Sequence, residues 1–140
     1  MSRVSINMPE HFHFRTEFDV RITDINYGNH LGHDACMSLL HDARMRMLHE
    51  KNFSEIDIGG CGLIMADTCI LFKAEVFYPA TLCLELAVSN MTRSSFDVFY
   101  RVSFSEDKRL VAEAKTGMVC FDYQNKRPAR MPDAFRGAFA

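Results

Sequence analysis

The chain has 140 residues, of which 48% are apolar and 24% are charged, and its formal net charge is −2. This balance is typical of one globular domain over residues 1–140 and argues against intrinsic disorder. No basic stripe supports nucleic-acid binding, and the uninterrupted apolar runs are far too short to span a membrane.

The N-terminal segment, residues 1–14, lacks the apolar run of a signal peptide. The cysteine count is odd and no two cysteines have the spacing of a metal pair, which favours free thiols in a reducing cytoplasm. We therefore expect a cytoplasmic protein without disulfides. The cysteines are Cys36, Cys61, Cys69, Cys83 and Cys120.

Residues 16–22 alternate polar and apolar side chains, which predicts a half-buried strand. Phe18, Val20 and Ile22 should face the core. The alternation stops at residues 24–33, where asparagines and glycines tolerate the backbone conformations of a turn.

A long helix is predicted from about residues 32–34 to residue 50, with Asp34 as its N-cap or as an acid in its first turn. Its apolar arc is typical of a helix buried on most sides, and its polar residues include Arg44. The arc consists of Ala35, Cys36, Met37, Leu39, Leu40, Ala43, Met45, Met47 and Leu48.

Four strand-like segments follow, joined by short links that favour antiparallel neighbours. A helix this apolar needs cover, so the economical arrangement is an α+β fold with an antiparallel five-stranded sheet wrapped around one long central helix. A weakly helical tail follows at residues 132–139. The predicted strands cover residues 62–78, 82–88, 95–104 and 110–120.

This order of elements resembles the hotdog-fold acyl-CoA thioesterases over nearly the whole chain, in particular the 4-hydroxybenzoyl-CoA thioesterase-like branch. The resemblance implies hydrolysis of an acyl-CoA or acyl-carrier thioester without a cofactor or metal. It also implies a homodimer or a dimer of dimers with active sites between subunits. The matching segments are Val20-Arg21-Ile-Thr-Asp24-Ile-Asn26, the glycine-containing turn up to His33, His41-Asp42-Ala43-Arg44 and Phe72-Lys-Ala-Glu-Val-Phe-Tyr-Pro79.

One position departs from the family pattern. The second acid of the Asp-x-Asp pair, which serves as the catalytic carboxylate in that branch, aligns with Asn26. An amide cannot act as a nucleophile or a general base, although it can position a water molecule or bind a carbonyl group. The base is therefore left open.

Thioester hydrolysis needs an attacking water, a base and donors for the developing oxyanion. Amides around Gly32, His33 and Asp34 at the helix start are the predicted donors, and Gly32 allows a substrate carbonyl to come close. His33 with Asn26 is the predicted water-positioning pair, because the helix dipole disfavours added positive charge on the imidazole.

The carboxylate in this scheme is Asp24 or Asp67, and Asp67 is expected to reach the helix start of a partner subunit. Each acid also has a structural interpretation. Asp24 can pair with Arg21, and Asp67 can cap a strand bulge.

His30 lies in the same turn and is a candidate for the base and for substrate binding, although it is equally interpretable as an exposed loop residue. Zinc binding by His30, His33 and Asp34 lacks further ligands at a suitable spacing. The alternative function is a hotdog protein that binds acyl-CoA or another thioester without hydrolysing it. Replacement of the family acid by Asn26 favours that alternative.

Overall fold

The computed structural model describes residues 3–140, which form one antiparallel sheet, one long helix and a short C-terminal helix. A single 3-10 turn at Ile22–Asp24 precedes the long helix. The elements are β1 (Phe14–Asp19), α1 (His33–Glu50), β2 (Gly62–Phe72), β3 (Thr81–Ser89), β4 (Ser95–Phe104), β5 (Leu110–Asp122), β6 (Arg127–Pro128) and α2 (Asp133–Ala138).

The strands follow the order β1-β3-β4-β5-β2, and the two-residue β6 pairs with β5. β1 and β2 therefore form the two edges of the main sheet, and α1 joins them in the sequence. The inner face carries fully buried side chains such as Leu84, Leu86, Val98, Ala112 and Ala114. The α+β prediction of five antiparallel strands around one helix is confirmed, with β6 as a short addition.

α1 is buried along one face rather than on most sides. Met45 is 37% exposed, whereas Arg44, which was predicted to be on the polar face, is buried against Tyr100. The polar face also holds an i,i+4 ion pair, with 3.2 Å between Arg46 Nε and Asp42 Oδ1. The helix is tied to β1 because the Arg46 guanidinium donates to Thr16 Oγ1 at 2.8 Å.

Two predicted strand ends are wrong, for the same reason. Ile22 lies in the 3-10 turn and is 65% exposed, because the chain leaves β1 at Asp19. β2 ends at Phe72 instead of continuing to residue 78. Residues 73–80 form a loop whose first amides, those of Lys73 and Ala74, donate to the Val111 carbonyl.

The amino-acid composition also predicted free cysteine thiols and no membrane-spanning segment. All five cysteines are free, and burial raises the pKa of the Cys36 thiol to about 11, so that thiol is protonated near neutral pH. Within residues 3–140, no helix combines the length and the apolar character required to cross a bilayer.

Candidate active site

The turn that leads into α1 is fixed by the buried carboxylate of Asp24. Its Oδ2 accepts from the Arg21 amide at 2.8 Å, and its Oδ1 accepts from the Arg21 guanidinium at 3.0 Å. Burial opposes ionisation of this carboxyl, but the hydrogen bonds and charge of Arg21 outweigh it and lower the pKa of Asp24. Asp24 therefore pairs with Arg21, as one of its two interpretations predicted, and both of its carboxylate oxygens are engaged.

Asn26 closes the next part of the turn with its side-chain carbonyl. Its Oδ1 accepts from the Gly28 amide at 2.9 Å and from the His30 amide at 3.4 Å. Both partners are N–H donors, so the orientation of the side-chain amide is determined by the network. Asn26 Nδ2, which has no acceptor among residues 3–140, is left as a donor beside the turn.

His30 is oriented by its own neighbour. Its Nδ1 lies 3.3 Å from the Leu31 carbonyl oxygen, which can only accept, so Nδ1 is the donor in this contact and the lone pair of the neutral imidazole is on Nε2. A Cβ built on Gly28 would lie 3.6 Å from this Nε2 and 3.2 Å from Asn26 Oδ1. His30 and Asn26 therefore flank the same space above Gly28.

α1 begins without a side-chain cap. Gly32 is the N-cap, and the N–H groups of His33, Asp34 and Ala35 have no acceptor in the described part of the chain. Three open amides at a helix start carry partial positive charge and suit an oxyanion. Asp34 was predicted to be either the N-cap or an acid in the first turn, and the structure places it in the first turn.

Gly32 keeps this helix start accessible. A Cβ at position 32 would lie 2.6 Å from Asp34 Oδ1 and 3.6 Å from the Asn26 Cβ. Its φ of −76° is open to any residue, so the absence of a side chain matters here for space and not for backbone strain.

Two exposed phenylalanines that the sequence analysis did not assign to the site flank the helix start. Phe72 is 51% exposed with its ring centroid 5.3 Å from that of His33, and Phe77 is 54% exposed at 6.5 Å from His30. The loop carrying Phe77 is bound to the turn, because the Leu31 amide donates to the Val76 carbonyl at 2.8 Å. Val76 is buried, so the next side chain along the chain, Phe77, points outward. The signal in the sequence was the pair of adjacent apolar residues, because an extended chain buries only one of the two.

Asp67 is not brought to this cluster. It lies at a register irregularity in β2, where its Oδ1 accepts from Lys115 Nζ at 2.8 Å and from the Gly117 amide at 3.0 Å. The hydrogen bond from Lys115 lowers the pKa of Asp67. Its neighbour Thr68 faces α1, with Oγ1 4.0 Å from Met37 Sδ, so Asp67 points to the opposite side of the sheet.

The structure thus assembles Asn26, His30 and the open amides of α1 between two aromatic side chains. The other sequence candidates have different contacts within the chain: Asp24 is engaged with Arg21, His33 packs on Phe72, and Asp67 accepts from Lys115 and the Gly117 amide. Within residues 3–140 there is no cluster of three or more histidine, cysteine or acidic side chains suited to a metal ion.

Comparison of the sequence with models of known families identifies the superfamily of this chain. The model of the thioesterase-like superfamily matches residues 20–139. The chain belongs to the thioesterase-like superfamily. The matched range includes the whole turn, α1 and the sheet from β2 onward. Among curated proteins, no sequence matches this chain.

Solved structures share the fold at low identity. A 1,4-dihydroxy-2-naphthoyl-CoA thioesterase from Synechocystis superposes with a TM-score of 0.82 at 22% identity, over 90% of this chain and 94% of that one. A DHNA-CoA thioesterase from Staphylococcus aureus gives 0.77 at 20% identity, over 88% and 83% of the two chains. A gentisyl-coenzyme A thioesterase gives 0.80 at 16% identity, over 91% and 100%. The predicted hotdog architecture is confirmed by this superfamily membership and these superpositions.

Proposed function

We propose that the protein hydrolyses acyl-CoA thioesters, with the thioester carbonyl held at the start of α1. The observation that carries this proposal is the set of three unpaired amides behind Gly32, beside Asn26 Nδ2 and the lone pair of His30 Nε2. Superfamily membership supports the same chemistry. The named relatives act on CoA thioesters, which supports CoA as the carrier.

In the proposed reaction, water attacks the thioester carbonyl while His30 Nε2 takes a proton from that water. The carbonyl oxygen becomes an oxyanion and accepts hydrogen bonds from the α1 amides and from Asn26 Nδ2. The tetrahedral intermediate then collapses, the carbon–sulfur bond breaks, and the proton on His30 passes to the departing CoA thiolate. The products are a carboxylic acid and CoA, and His30 returns to its neutral form.

The other candidates take supporting roles in this proposal. His33, stacked on Phe72, lines the acyl side of the site, and Asp34 borders the carbonyl at the helix start. Asp24 holds the turn through Arg21. Asp67 stays outside the reacting groups, because Lys115 and the amide of Gly117 occupy it.

We further propose that two copies associate along β2. This edge strand exposes Ile64 and Met65, each at 42%, together with Phe72, and an unpaired apolar strand edge favours pairing with another chain. In one chain the start of α1 is open to solvent between two aromatic side chains. A second copy supplies the missing wall, either as a dimer or within a dimer of dimers, in a reducing cytoplasm suited to the free thiols.

The test measures hydrolysis of short-chain, medium-chain and aromatic acyl-CoAs. Release of CoA is monitored by chromatography, because the five cysteine thiols of the protein react with the dyes that detect free CoA. We expect turnover by the native chain and a loss of about 10²–10⁴ in kcat for His30→Ala. His49→Ala is the matched control, since His49 is exposed at the opposite end of the same helix. Equal rates for the two variants would remove His30 from the mechanism.

A second function is favoured by one residue. Because Asn26 replaces the family acid, the chain suits an acyl-CoA-binding protein that performs no hydrolysis. Tight binding of an acyl-CoA without release of CoA would establish that function and exclude the hydrolase.

A further inference from the structure

A stripe of side chains along α1 lies on the side of the helix next to β2. It consists of residues 33, 37, 40, 41 and 44, at about one helical turn apart. The His33 ring packs on Phe72, and Met37 Sδ lies 4.0 Å from Thr68 Oγ1. A cavity of about 330 Å³ lies beside α1 and is lined by residues of β2 and β5. Met37 belongs both to the stripe and to the lining of this cavity, so the two are adjacent. The cavity is lined in part by Met37, His41, Arg44, Glu55, Met65 and Thr116.

Arg44 is the unusual member of that lining. The side chain is 94% buried, yet its guanidinium makes one hydrogen bond, from Nη1 to Tyr100 Oη at 2.9 Å, and one looser ion pair, 3.5 Å from Glu55. Its Nε has no acceptor among the described residues. A guanidinium has five N–H donors, and buried donors normally find partners. Arg44 therefore has more donors than residues 3–140 provide acceptors.

The surrounding network fixes which hydrogen-bonding role is left open. Tyr100 accepts from Arg44 at 2.9 Å and lies 2.7 Å from Thr116 Oγ1, where either hydroxyl can donate, so the phenol is already engaged with two partners. Burial raises the pKa of Tyr100, which keeps the phenol protonated. The cavity consequently offers donors on Arg44 and needs an acceptor.

The charge balance selects a neutral acceptor. Glu55 lies beside Arg44 and 2.7 Å from His41 Nε2, so the guanidinium charge is already compensated and a ligand carboxylate would meet Glu55. Met37 and Met65 supply an adaptable apolar lining before the polar end. Eleven residues of helix separate positions 33 and 44, a span of about 16 Å.

We infer that Arg44 is a specificity-determining residue that binds a neutral oxygen, a hydroxyl or keto group, at the far end of a medium-chain acyl group. This inference rests on the proposed function for the position of the thioester. The acyl chain runs along the β2-facing stripe, and its terminal oxygen accepts from the guanidinium.

The test uses thioether analogues that cannot be hydrolysed, S-decyl-CoA and S-(omega-hydroxydecyl)-CoA, in titration calorimetry. We expect the native chain to bind the hydroxylated analogue about tenfold more tightly or better, as for a hydrogen bond to a charged donor. In Arg44→Gln, shown to be folded by circular dichroism, the two affinities should converge. Equal affinities in the native chain, or an undiminished preference in folded Arg44→Gln, overturn the inference.

A second pair of variants tests the cavity if Arg44→Gln does not fold. Met37→Trp fills the cavity and should weaken binding of both analogues about tenfold. Met45→Trp makes the same change on the exposed side of the helix and should not. Equal affinities for these two variants overturn the inference.

Hydrolysis of the corresponding thioesters is measured separately, so the two proposals can fail independently. Discrimination between the analogues without any hydrolysis rejects the hydrolase and supports the role of Arg44. Hydrolysis without discrimination rejects the role of Arg44 and leaves the hydrolase in place.

Discussion

Asn26 has two roles in the proposed mechanism, because its side-chain carbonyl closes the turn and its NH₂ group is proposed to donate to the oxyanion. Asn26→Asp separates them, since a carboxylate keeps the acceptor for Gly28 and His30 but removes the donor. We expect kcat to fall about 10²-fold, while stability changes by less than about 1 kcal/mol. Steady-state hydrolysis and urea unfolding measure the two effects.

The matched control is Asn29→Asp, which adds the same charge in the same turn at an exposed residue with a φ of 70°. Aspartate tolerates that conformation, so this variant should keep native kcat. A rate for Asn26→Asp at or above the native value would show that a carboxylate serves better at position 26 and would end the donor assignment.

Asp24 links the turn to pH. Its pKa is lower in the folded chain than in the unfolded chain, so the unfolded state takes up a proton first as pH falls. The stabilisation by Asp24 is therefore complete above about pH 4, the range of an unperturbed aspartate, and is lost below it. Asp24→Asn should unfold about 1 kcal/mol more easily at pH 7, and the difference should shrink toward pH 3 in urea titrations. A constant difference across that range would contradict the assignment.

At the residue scale, the sequence predicted the turn but not the hydrogen bonds that its side chains make. His33 was preferred over His30 because of its place on the helix. The feature that distinguishes them, the contact of His30 Nδ1 with the Leu31 carbonyl, depends on the path of the backbone. For Asp67 the structural interpretation describes the geometry of the chain, because the side chain lies at a register irregularity in β2 and accepts from the Gly117 amide, whereas its partner Lys115 was not predicted.

At the scale of elements, the start of α1 depends on Gly32 having no side chain. Gly32→Ala keeps an allowed φ but places a methyl group 2.6 Å from Asp34 Oδ1, in front of the open amides. We expect kcat/KM to fall about tenfold or more because the carbonyl is displaced from its donors. Hydrolysis assays at subsaturating acyl-CoA measure this effect.

Gly137→Ala is the control, since a Cβ at that position in α2 meets nothing within 4 Å. It should leave the rate unchanged and, if anything, stabilise α2 by about 0.5–1 kcal/mol. Native kcat/KM in Gly32→Ala would mean that the substrate does not approach the start of α1.

Regular elements were the most predictable part of the chain. β3 and β4 begin and end within one residue of their predicted bounds, and the C-terminal helix falls inside the predicted tail. Arg44 and Met45 were assigned to the wrong faces of α1. Helical periodicity sorts residues by polarity and does not indicate that Tyr100 and Glu55 provide buried partners for an arginine. The end of β2 was missed because charged and apolar side chains still alternate from Lys73 to Val76 after the chain has left the sheet.

At the scale of the whole molecule, the exposed β2 edge predicts a dimer. Ile64→Lys places a charge on that edge and should shift the protein from dimer to monomer in sedimentation-velocity runs at micromolar concentration, with a loss of hydrolysis. Ile56→Lys changes a residue that is 79% exposed outside the strand and should remain dimeric. A native protein that sediments as a monomer while hydrolysing acyl-CoA would remove the need for a second copy.

The hydrogen bond between the Leu31 amide and the Val76 carbonyl couples two segments that lie far apart in sequence. A second bond, from the Val20 amide to the Ala80 carbonyl at 2.8 Å, holds the other side of the same loop. These two amides should therefore exchange with deuterium at related rates, and an acyl-CoA bound at the start of α1 should slow both together. Related exchange rates would mean that the turn and this loop open as one cooperative unit, and unrelated rates would mean that they open separately.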